Sequence, residues 1–162
     1  MNVVTASPRE VDQFARRYGR YVEKRSVNDI DYNDIAFCNT LLYRAHLAPL
    51  TCFGVSIQIY EGRVSLLDVS TGTRLDQPWF FGVKVQEFGC YPCYPDQKPY
   101  EVRLRRNHVG RLWRAFVTLS PESSAKEREA AFAFNLNCLS KIGGCKDSRE
   151  LNPRVWENAE QQ

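Results

Sequence analysis

The stretch Phe53-Gly54-Val55-Ser56-Ile57-Gln58-Ile59-Tyr60 decides the fold class, because apolar residues occupy every second position along it. Side chains alternate between the two faces of a β-strand, so this spacing places one apolar row on a single face. Such a strand packs one face on a core and leaves the other face to polar surroundings. We therefore predict a strand over residues 53–60.

Four further segments have strand composition, and turn residues separate them. Glu61-Gly62 predicts the first turn, and Ser70-Thr71-Gly72-Thr73 predicts a break after the second strand. A turn at 107–110 makes the last two strands a hairpin. The sequence thus predicts an antiparallel sheet of about five strands, over residues 53–60, 63–69, 79–87, 100–106 and 111–119.

Two capping boxes mark helices on either side of this run of strands. Ser7-Pro8-Arg9-Glu10 combines an N-cap hydroxyl, a proline at the first helical position and a glutamate three residues after the cap. It predicts a helix over residues 8–25. Ser124-Ala125-Lys126-Glu127 has the same pattern and predicts a helix over residues 125–142, which the glycines at 143 and 144 end.

The chain between the first helix and the first strand divides into two parts. Residues 26–34 are rich in turn formers and predict a loop. Residues 35–47 are apolar and ambiguous, but their spacing suits a helix face. Pro49 ends that segment, because the residue before a proline is pushed away from the helical region.

Helices at both chain ends with strands between them are typical of an α+β fold and not of alternating βαβ units. The 162 residues suit a single domain. We predict one α+β domain over residues 1–162, with the N- and C-terminal helices packed on one sheet face. Residues 157–162 are polar and predict a frayed end.

Six cysteines bear on the compartment. Six allow fifteen connectivities, of which sequence-local pairing is the simplest. An alternative is six reduced, buried thiols in a cytosolic protein. We favour disulfides, because the number is even and the cysteines lie in pairs, and disulfides indicate an extracytoplasmic protein. The predicted pairs are Cys38–Cys52, Cys90–Cys93 and Cys138–Cys145.

Catalytic and metal motifs are scarce. Cys90-Tyr91-Pro92-Cys93 lacks the following helix that would activate a redox thiolate. A zinc site would need Cys138 and Cys145 as further ligands, and it remains an alternative within a nucleic-acid-binding domain. Cys38 and His46 could act as nucleophile and base, but both lie in the apolar segment over residues 35–47, which more often belongs to the hydrophobic core. We expect no enzyme activity, no metal and no cofactor.

A binding surface is the stronger prediction. Net charge is +3, too close to balance to favour nucleic acid. Tyrosines and prolines cluster in the loop over residues 89–99, and arginines cluster about the hairpin that follows. Tyr offers rigid contact area and Arg can bind partner carboxylates. The predicted partner-binding residues are Tyr91, Tyr94, Tyr100, Arg105, Arg106 and Arg111.

The C-terminal stretch carries a resemblance. Phe134-Asn135-Leu136-Asn137-Cys138-Leu139, then Gly143-Gly144-Cys145 and Pro153-Arg154-Val155-Trp156, resemble the C-terminal end of small envelope proteins of Gram-negative bacteria. The resemblance covers about 25 of the 162 residues and transfers no functional residue. It implies a periplasmic or lipoprotein setting, with a lipid anchor upstream as one form. Some such proteins are immunity proteins that neutralise secreted antibacterial effectors.

These observations favour a non-enzymatic periplasmic domain, free or anchored to the outer membrane, that binds and inhibits another protein such as a secreted toxin. A zinc-stabilised intracellular nucleic-acid-binding domain and a structural envelope protein are the alternatives.

Overall fold

The computed structural model describes residues 7–17, 22–74, 80–89, 98–106 and 112–159. Its seven strands are β1 Val22–Val27, β2 Ile30–Cys38, β3 Leu50–Tyr60, β4 Arg63–Arg74, β5 Phe80–Phe88, β6 Tyr100–Arg106 and β7 Leu112–Leu119. Its helices are α1 Pro8–Arg17, α2 Thr40–Arg44, α3 Ala125–Ala131, α4 Ser148–Leu151 and α5 Pro153–Ala159, with a 3₁₀ helix at Leu136–Leu139. The α+β class is as predicted.

The strands form one sheet in the order β1-β2-β3-β4-β5-β7-β6. Every neighbouring pair is antiparallel except β5 and β7, which are parallel. The predicted all-antiparallel sheet of five strands is therefore wrong in two respects. The sheet has two further strands, β1 and β2, before β3. It also contains one parallel pair, because β6 lies at the sheet edge and β7 pairs with β5.

A row of β-branched residues crosses the sheet and defines its apolar side. Successive members are directly opposite in the strand register, so their side chains share one face. All but the last are buried. The row consists of Ile35, Val55, Val69, Val85, Val117 and Val102.

The core contains two clusters. In the first, Val11 of α1 packs with buried residues of β2, β3 and β4. In the second, Ala131, Leu151, Val155 and Trp156 of the C-terminal helices pack with residues of β5 and β7. The helix α2 buries none of its residues. The five helices are short and do not form the single clear layer that the sequence predicted.

The β1–β2 hairpin is the largest correction. Residues 22–25 were predicted as helix and 26–34 as loop, but β1 pairs with β2 along its whole length. Asn28 and Asp29 both have positive φ, as a two-residue hairpin turn requires. Asn33, which the sequence placed in the loop, lies buried within β2. The charges of β1 are exposed at a sheet edge, where they oppose edge-to-edge association.

The predicted helix over 125–142 stops at Ala131 because asparagines supply other hydrogen bonds. The buried Asn152 donates from Nδ2 to the carbonyl of Ala131 at 2.6 Å, satisfying a helix-end acceptor. The Asn135 amide donates to the carbonyl of Leu151 at 2.8 Å, and its side chain donates to that of Glu150 at 3.1 Å. These contacts draw the chain away from the helix path.

Two smaller predictions also fail. Residues 70–73 continue β4 instead of breaking it, with the β-branched Thr71 and Thr73 buried. Residues 35–38 belong to β2, not to a helix. Residues 157–159 belong to α5 and 160–162 lie outside the described residues, so the frayed end over 157–162 stays a prediction.

Both predicted capping boxes are confirmed. The Glu10 amide donates to the Ser7 hydroxyl at 3.3 Å, and the Ser7 amide donates to the Glu10 carboxylate at 2.8 Å. Ser124 and Glu127 make the same reciprocal bonds at 3.2 and 2.7 Å. Each box satisfies two amides at a helix start.

Two predicted disulfides are confirmed, Cys38–Cys52 and Cys138–Cys145. The first joins directly opposite residues of β2 and β3, with Cα atoms 4.1 Å apart. The second closes the turn that follows the 3₁₀ helix. The predicted pair Cys90–Cys93 lies outside the described residues. No helix in the described ranges is long and apolar enough to cross a membrane.

Candidate functional site

The polar side of the sheet carries the chemistry-bearing residues. It consists of the positions that alternate with the apolar row, and their register gives three adjacent cross-strand rows. The first is Cys38, Cys52, Gly72, Gly82, Arg114 and Arg105. The second is Ala36, Gly54, Ser70, Lys84, Phe116 and Arg103. The third is Asp34, Ser56, Asp68, Gln86, Thr118 and Glu101.

A groove of about 380 Å³ lies on this side. Small residues of neighbouring strands make it hollow, including Ala36, Gly54 and Ser70. Carboxylates of β1 and β2 line one part of it, whereas Lys84 and Arg114 line another. The groove thus carries both signs of charge. Its volume is at the lower end of the range of small-molecule sites.

The ion pair between Lys84 and Asp68 stands in this groove. Lys84 Nζ lies 3.1 Å from Asp68 Oδ2, and both side chains are largely buried. Asp68 Oδ1 is also buried, and it has no hydrogen-bond partner among the described residues. A carboxylate oxygen in that state is a ready acceptor for a donor that enters the groove, because a buried polar atom without a partner is costly.

Two arginines meet over one aromatic ring next to the groove. Arg105 of β6 is directly opposite Arg114 of β7. Their Cζ atoms lie 5.0 and 4.7 Å from the centroid of the Phe116 ring. Such cation–π contacts contribute about 0.5–1 kcal/mol each at exposed sites. The ring therefore holds both guanidinium groups on the polar side of the sheet.

This arrangement places like charges face to face. Burial, and secondly the charge of Arg105, lowers the pKa of the Arg114 guanidinium from its ordinary value. Like charges directly opposite in a sheet are destabilising. Arg103, two residues before Arg105 on the same side, adds a third charge, although it lies 3.9 Å from Glu101. The three arginines concentrate positive charge at this end of the polar side.

The side chains of two predicted site residues, Tyr100 and Arg105, are described, and the structure does not bring these two together. Arg105 is exposed on the polar side, whereas Tyr100 packs against the core on the apolar side. Arg106 ends β6 beside a register shift, and its side chain is outside the described residues. Tyr91, Tyr94 and Arg111 also lie outside the described residues, so their part in a site stays a prediction.

Tyr100 and Arg105 also lie at opposite ends of the strands. Tyr100 pairs with Leu119, and Arg105 pairs with Arg114 near the start of β7. At about 3.4 Å per residue, they are separated by about 17 Å along β6. The predicted tyrosine loop joins the sheet at the Tyr100 end, and the hairpin turn joins it at the Arg105 end. Tyr100 and Arg105 therefore do not contact the same small patch, and a site that includes Tyr91, Tyr94 and Arg111 stays a prediction.

The disulfides remove two of the alternatives. Cys138 and Cys145 are bonded to each other and are not available as thiolates for a zinc site with Cys90 and Cys93. Cys38 is bonded to Cys52 and is not a nucleophile for His46. Within the described ranges, no group of three or more His, Cys, Asp or Glu could hold a metal ion.

The arginines were predicted from the sequence, but the groove was not. Its residues come from β1, β2, β3, β4, β5 and β7, and two of those strands were not predicted. Only the register shows that Gly54, Ser70 and Lys84 are neighbours. A local signal did exist, because small residues at the outward positions of β3 form a hollow on a sheet surface.

Comparison of the chain with protein-family models, with curated proteins and with solved structures finds no match to any of them.

Proposed function

We propose that this chain is a non-enzymatic, extracytoplasmic domain that binds another protein and inhibits it, in the manner of an immunity protein that neutralises a secreted antibacterial effector. The contact surface is the polar side of the sheet at the Arg105 end. This surface binds a partner segment that presents carboxylates. In a Gram-negative cell the domain faces the periplasm, free or held by a lipid anchor.

The observation that carries this proposal is the arginine pair over Phe116. Two guanidinium groups directly opposite each other are unfavourable for folding, yet the ring holds them together. A partner carboxylate between them is attracted by both charges and forms charge-assisted hydrogen bonds. Arginine is also among the residues most enriched at the energetic centres of protein interfaces. The arrangement therefore favours binding of an acidic protein surface.

The groove beside the pair adds selectivity to this contact. Arg114, Lys84 and Asp68 all line it, so a partner side chain in the groove lies near two cations and a carboxylate oxygen. Fixed charges of both signs discriminate between partners more strongly than they raise affinity. The strands around the groove are hydrogen-bonded into one sheet, and a preordered surface loses little entropy on binding.

The compartment is supported by the two disulfides. A domain of this length buries enough surface to fold without them, so their presence indicates an oxidising compartment more than a need for stability. The resemblance of the C-terminal stretch to small envelope proteins agrees with that setting.

The proposal is tested by photo-crosslinking in the cells that make the protein. A photoreactive amino acid replaces Arg103, which is exposed beside the arginine pair, and in a matched variant it replaces Lys126, which is exposed on α3. We expect one protein to crosslink at position 103 and not at 126. Adding Arg105→Glu should abolish the crosslink, because the charge at the contact is reversed.

The captured protein is then produced in the periplasm of indicator bacteria. Survival should be restored by the exported wild-type domain and not by its Arg105→Glu variant. Equal crosslinking at positions 103 and 126, or none at 103, would overturn the proposal and favour a structural envelope protein. A captured protein that is harmless would retain binding but overturn inhibition.

A further inference from the structure

Exposed apolar side chains concentrate in the two loops that the disulfides close. Among the described residues, seven large apolar side chains are exposed. Val27 and Tyr60 lie at the other end of the β1–β2 and β3–β4 hairpins, and Leu136 precedes Cys138. The remaining four define what we call the two-loop surface: Leu41, Tyr43, Leu47 and Ile142.

The two loops contact each other. The first lies between Cys38 and Cys52 and the second between Cys138 and Cys145. The Gly143 amide donates to the carbonyl of Leu47 at 2.7 Å. A Cβ at Gly144, where φ is +62°, would lie 2.9 Å from Pro49 Cδ, so the second loop packs directly on the first. Leu47 and Ile142 are therefore neighbours on one surface.

The base of the first loop is fixed as well. The buried Asn39 donates from Nδ2 to the carbonyl of Pro49 at 2.9 Å and accepts from the Thr51 amide at 2.8 Å. Its own amide donates to the carbonyl of Thr51 at 3.0 Å. With the Cys38–Cys52 disulfide, these bonds close the loop at its neck. The exposed side chains are thus presented by an ordered backbone.

Exposed apolar side chains on an ordered backbone are typical of a binding surface. Leu41 is 84 % exposed and Ile142 is 71 % exposed. When a partner covers a large exposed apolar side chain, apolar area is removed from water and the binding free energy becomes more favourable. Isolated ones are common on protein surfaces, but four of the seven lie on two loops that contact each other, with Leu47 and Ile142 at that contact. Because the loops are already ordered, covering them loses little conformational entropy.

The charges around the cluster specify its partner. Arg44 and Lys146 are exposed, and neither has a carboxylate within ion-pair distance in the described part of the chain. Of the nearby acids, Glu150 forms an ion pair with Lys141 at 3.4 Å, whereas the exposed Asp147 accepts from the Arg149 amide at 2.9 Å and keeps its negative charge. Arg44 and Lys146 therefore face one unpaired carboxylate, and the net charge beside the apolar side chains is positive.

We infer that the two-loop surface is a second contact with the protein partner, and that it inserts apolar side chains into an apolar pocket bordered by carboxylates. The inference rests on the proposed function and names a further feature of the same partner. A protein pocket fits better than a lipid bilayer, because a fixed loop geometry favours a shaped pocket and gains nothing from a fluid surface. Two cations also contribute only about 2 kcal/mol of attraction to anionic lipid.

The test uses the protein captured at position 103 and three variants of the full chain. Leu47→Ser with Ile142→Ser removes the neighbouring pair, and Leu41→Ser removes the most exposed member. Val27→Ser is the matched control, since Val27 is equally apolar and half exposed but lies in β1. We expect the double variant to bind about tenfold more weakly or worse and the control to remain within about twofold. Circular dichroism and thiol counts confirm that each variant is folded.

Four results would overturn the inference. Wild-type affinity in both the double variant and Leu41→Ser leaves the proposed function standing but places the contact elsewhere. Sedimentation with anionic phospholipid vesicles, lost in the double variant, would identify a membrane surface. A dimer of this chain, crosslinked through a photoreactive residue at Leu41 and not at Val27, would identify a second copy. If neither position 103 nor position 41 captures a specific protein, both proposals are wrong.

Discussion

The ion pair between Arg128 and Glu87 shows what one buried charge requires. Glu87 lies within β5 and its side chain is 4 % exposed. Arg128 Nε donates to Glu87 Oε1 at 2.6 Å, and the rest of the guanidinium binds the carbonyls of Ser120, Pro121 and Ser123. One side chain thus fastens α3 to the sheet and to the turn after β7.

Removing that arginine should be costly. Arg128→Ala leaves the Glu87 carboxylate buried and unpaired, and we expect it to lower the free energy of unfolding by about 3–5 kcal/mol. Arg154→Ala is the matched control, because Arg154 and Glu129 also lie 2.6 Å apart but are 52 % and 70 % exposed. It should cost less than about 1 kcal/mol. Urea denaturation compares the two, and equal losses would contradict the account.

Glu150 gives a prediction about pH. The Lys146 amide, and then Lys141, holds the pKa of this carboxyl below its ordinary value, although partial burial opposes the shift. A lowered folded-state pKa contributes stability that is present above the unfolded value and is lost as pH falls through the folded one. We expect acid to loosen the turn over 141–150, and Glu150→Gln to abolish that dependence. The protection factor of the Lys146 amide, which is its exchange rate relative to the intrinsic rate at each pH, measures it, and an unchanged protection factor in acid would contradict it.

At the residue scale, hydrogen bonds between residues close in sequence were predictable, and those between residues distant in sequence were not. Ser7 and Ser124 act on amides three residues away, so their capping boxes follow from the sequence. Asn152 caps a helix that ends 21 residues earlier, and Arg128 binds a carboxylate 41 residues earlier. Nothing local to either side chain indicates its partner.

At the element scale, the strands with a clear period of two were predicted and the charged edge strand was not. The alternation over 53–60 reflects one buried face, and β3 does extend through those residues. β1 has charged residues on exposed positions and therefore shows no apolar period. Its identity depends on pairing with β2 and on the Asn28-Asp29 turn, which composition alone assigns to a loop.

Two glycines on the polar side mark a close approach of strands. A Cβ at Gly82 would lie 2.4 Å from the carbonyl oxygen of Thr71, a backbone atom that moves only with its strand. Gly82→Ala should therefore destabilise the protein by about 1–3 kcal/mol. Gly54→Ala is the control, since its Cβ would meet the Ser70 hydroxyl at 3.2 Å and that side chain can rotate. Thermal unfolding should show the larger loss for Gly82→Ala, and the reverse order would refute this explanation.

At the scale of the whole molecule, topology decides which surfaces exist. The length of β6 places Tyr100 and Arg105 toward opposite ends of its pairing with β7. The sequence suggested one site that contains both residues, because neighbours in sequence were taken as neighbours in space. The same topology places Cys38, Cys52, Arg114 and Arg105 in one cross-strand row, which sequence separation concealed.

The oxidation state is also a property of the whole molecule. We expect protein isolated without reductant to contain at least two disulfides, so that Cys38, Cys52, Cys138 and Cys145 resist alkylation until it is reduced. Intact mass before and after reduction, with peptide mapping of the alkylated sites, measures this. Six alkylated thiols in folded, non-reduced protein would end the extracytoplasmic interpretation.

The central claim is that the arginine pair binds an acidic protein surface, and titration calorimetry of the captured partner tests it most directly. Wild type, Arg105→Ala and Lys126→Ala are compared at low and high salt. We predict that Arg105→Ala weakens binding by about 2 kcal/mol or more and reduces its salt dependence, because a charge at the contact is lost. Lys126→Ala should bind like wild type within about 0.5 kcal/mol. Wild-type affinity and salt dependence in a folded Arg105→Ala variant would contradict the claim.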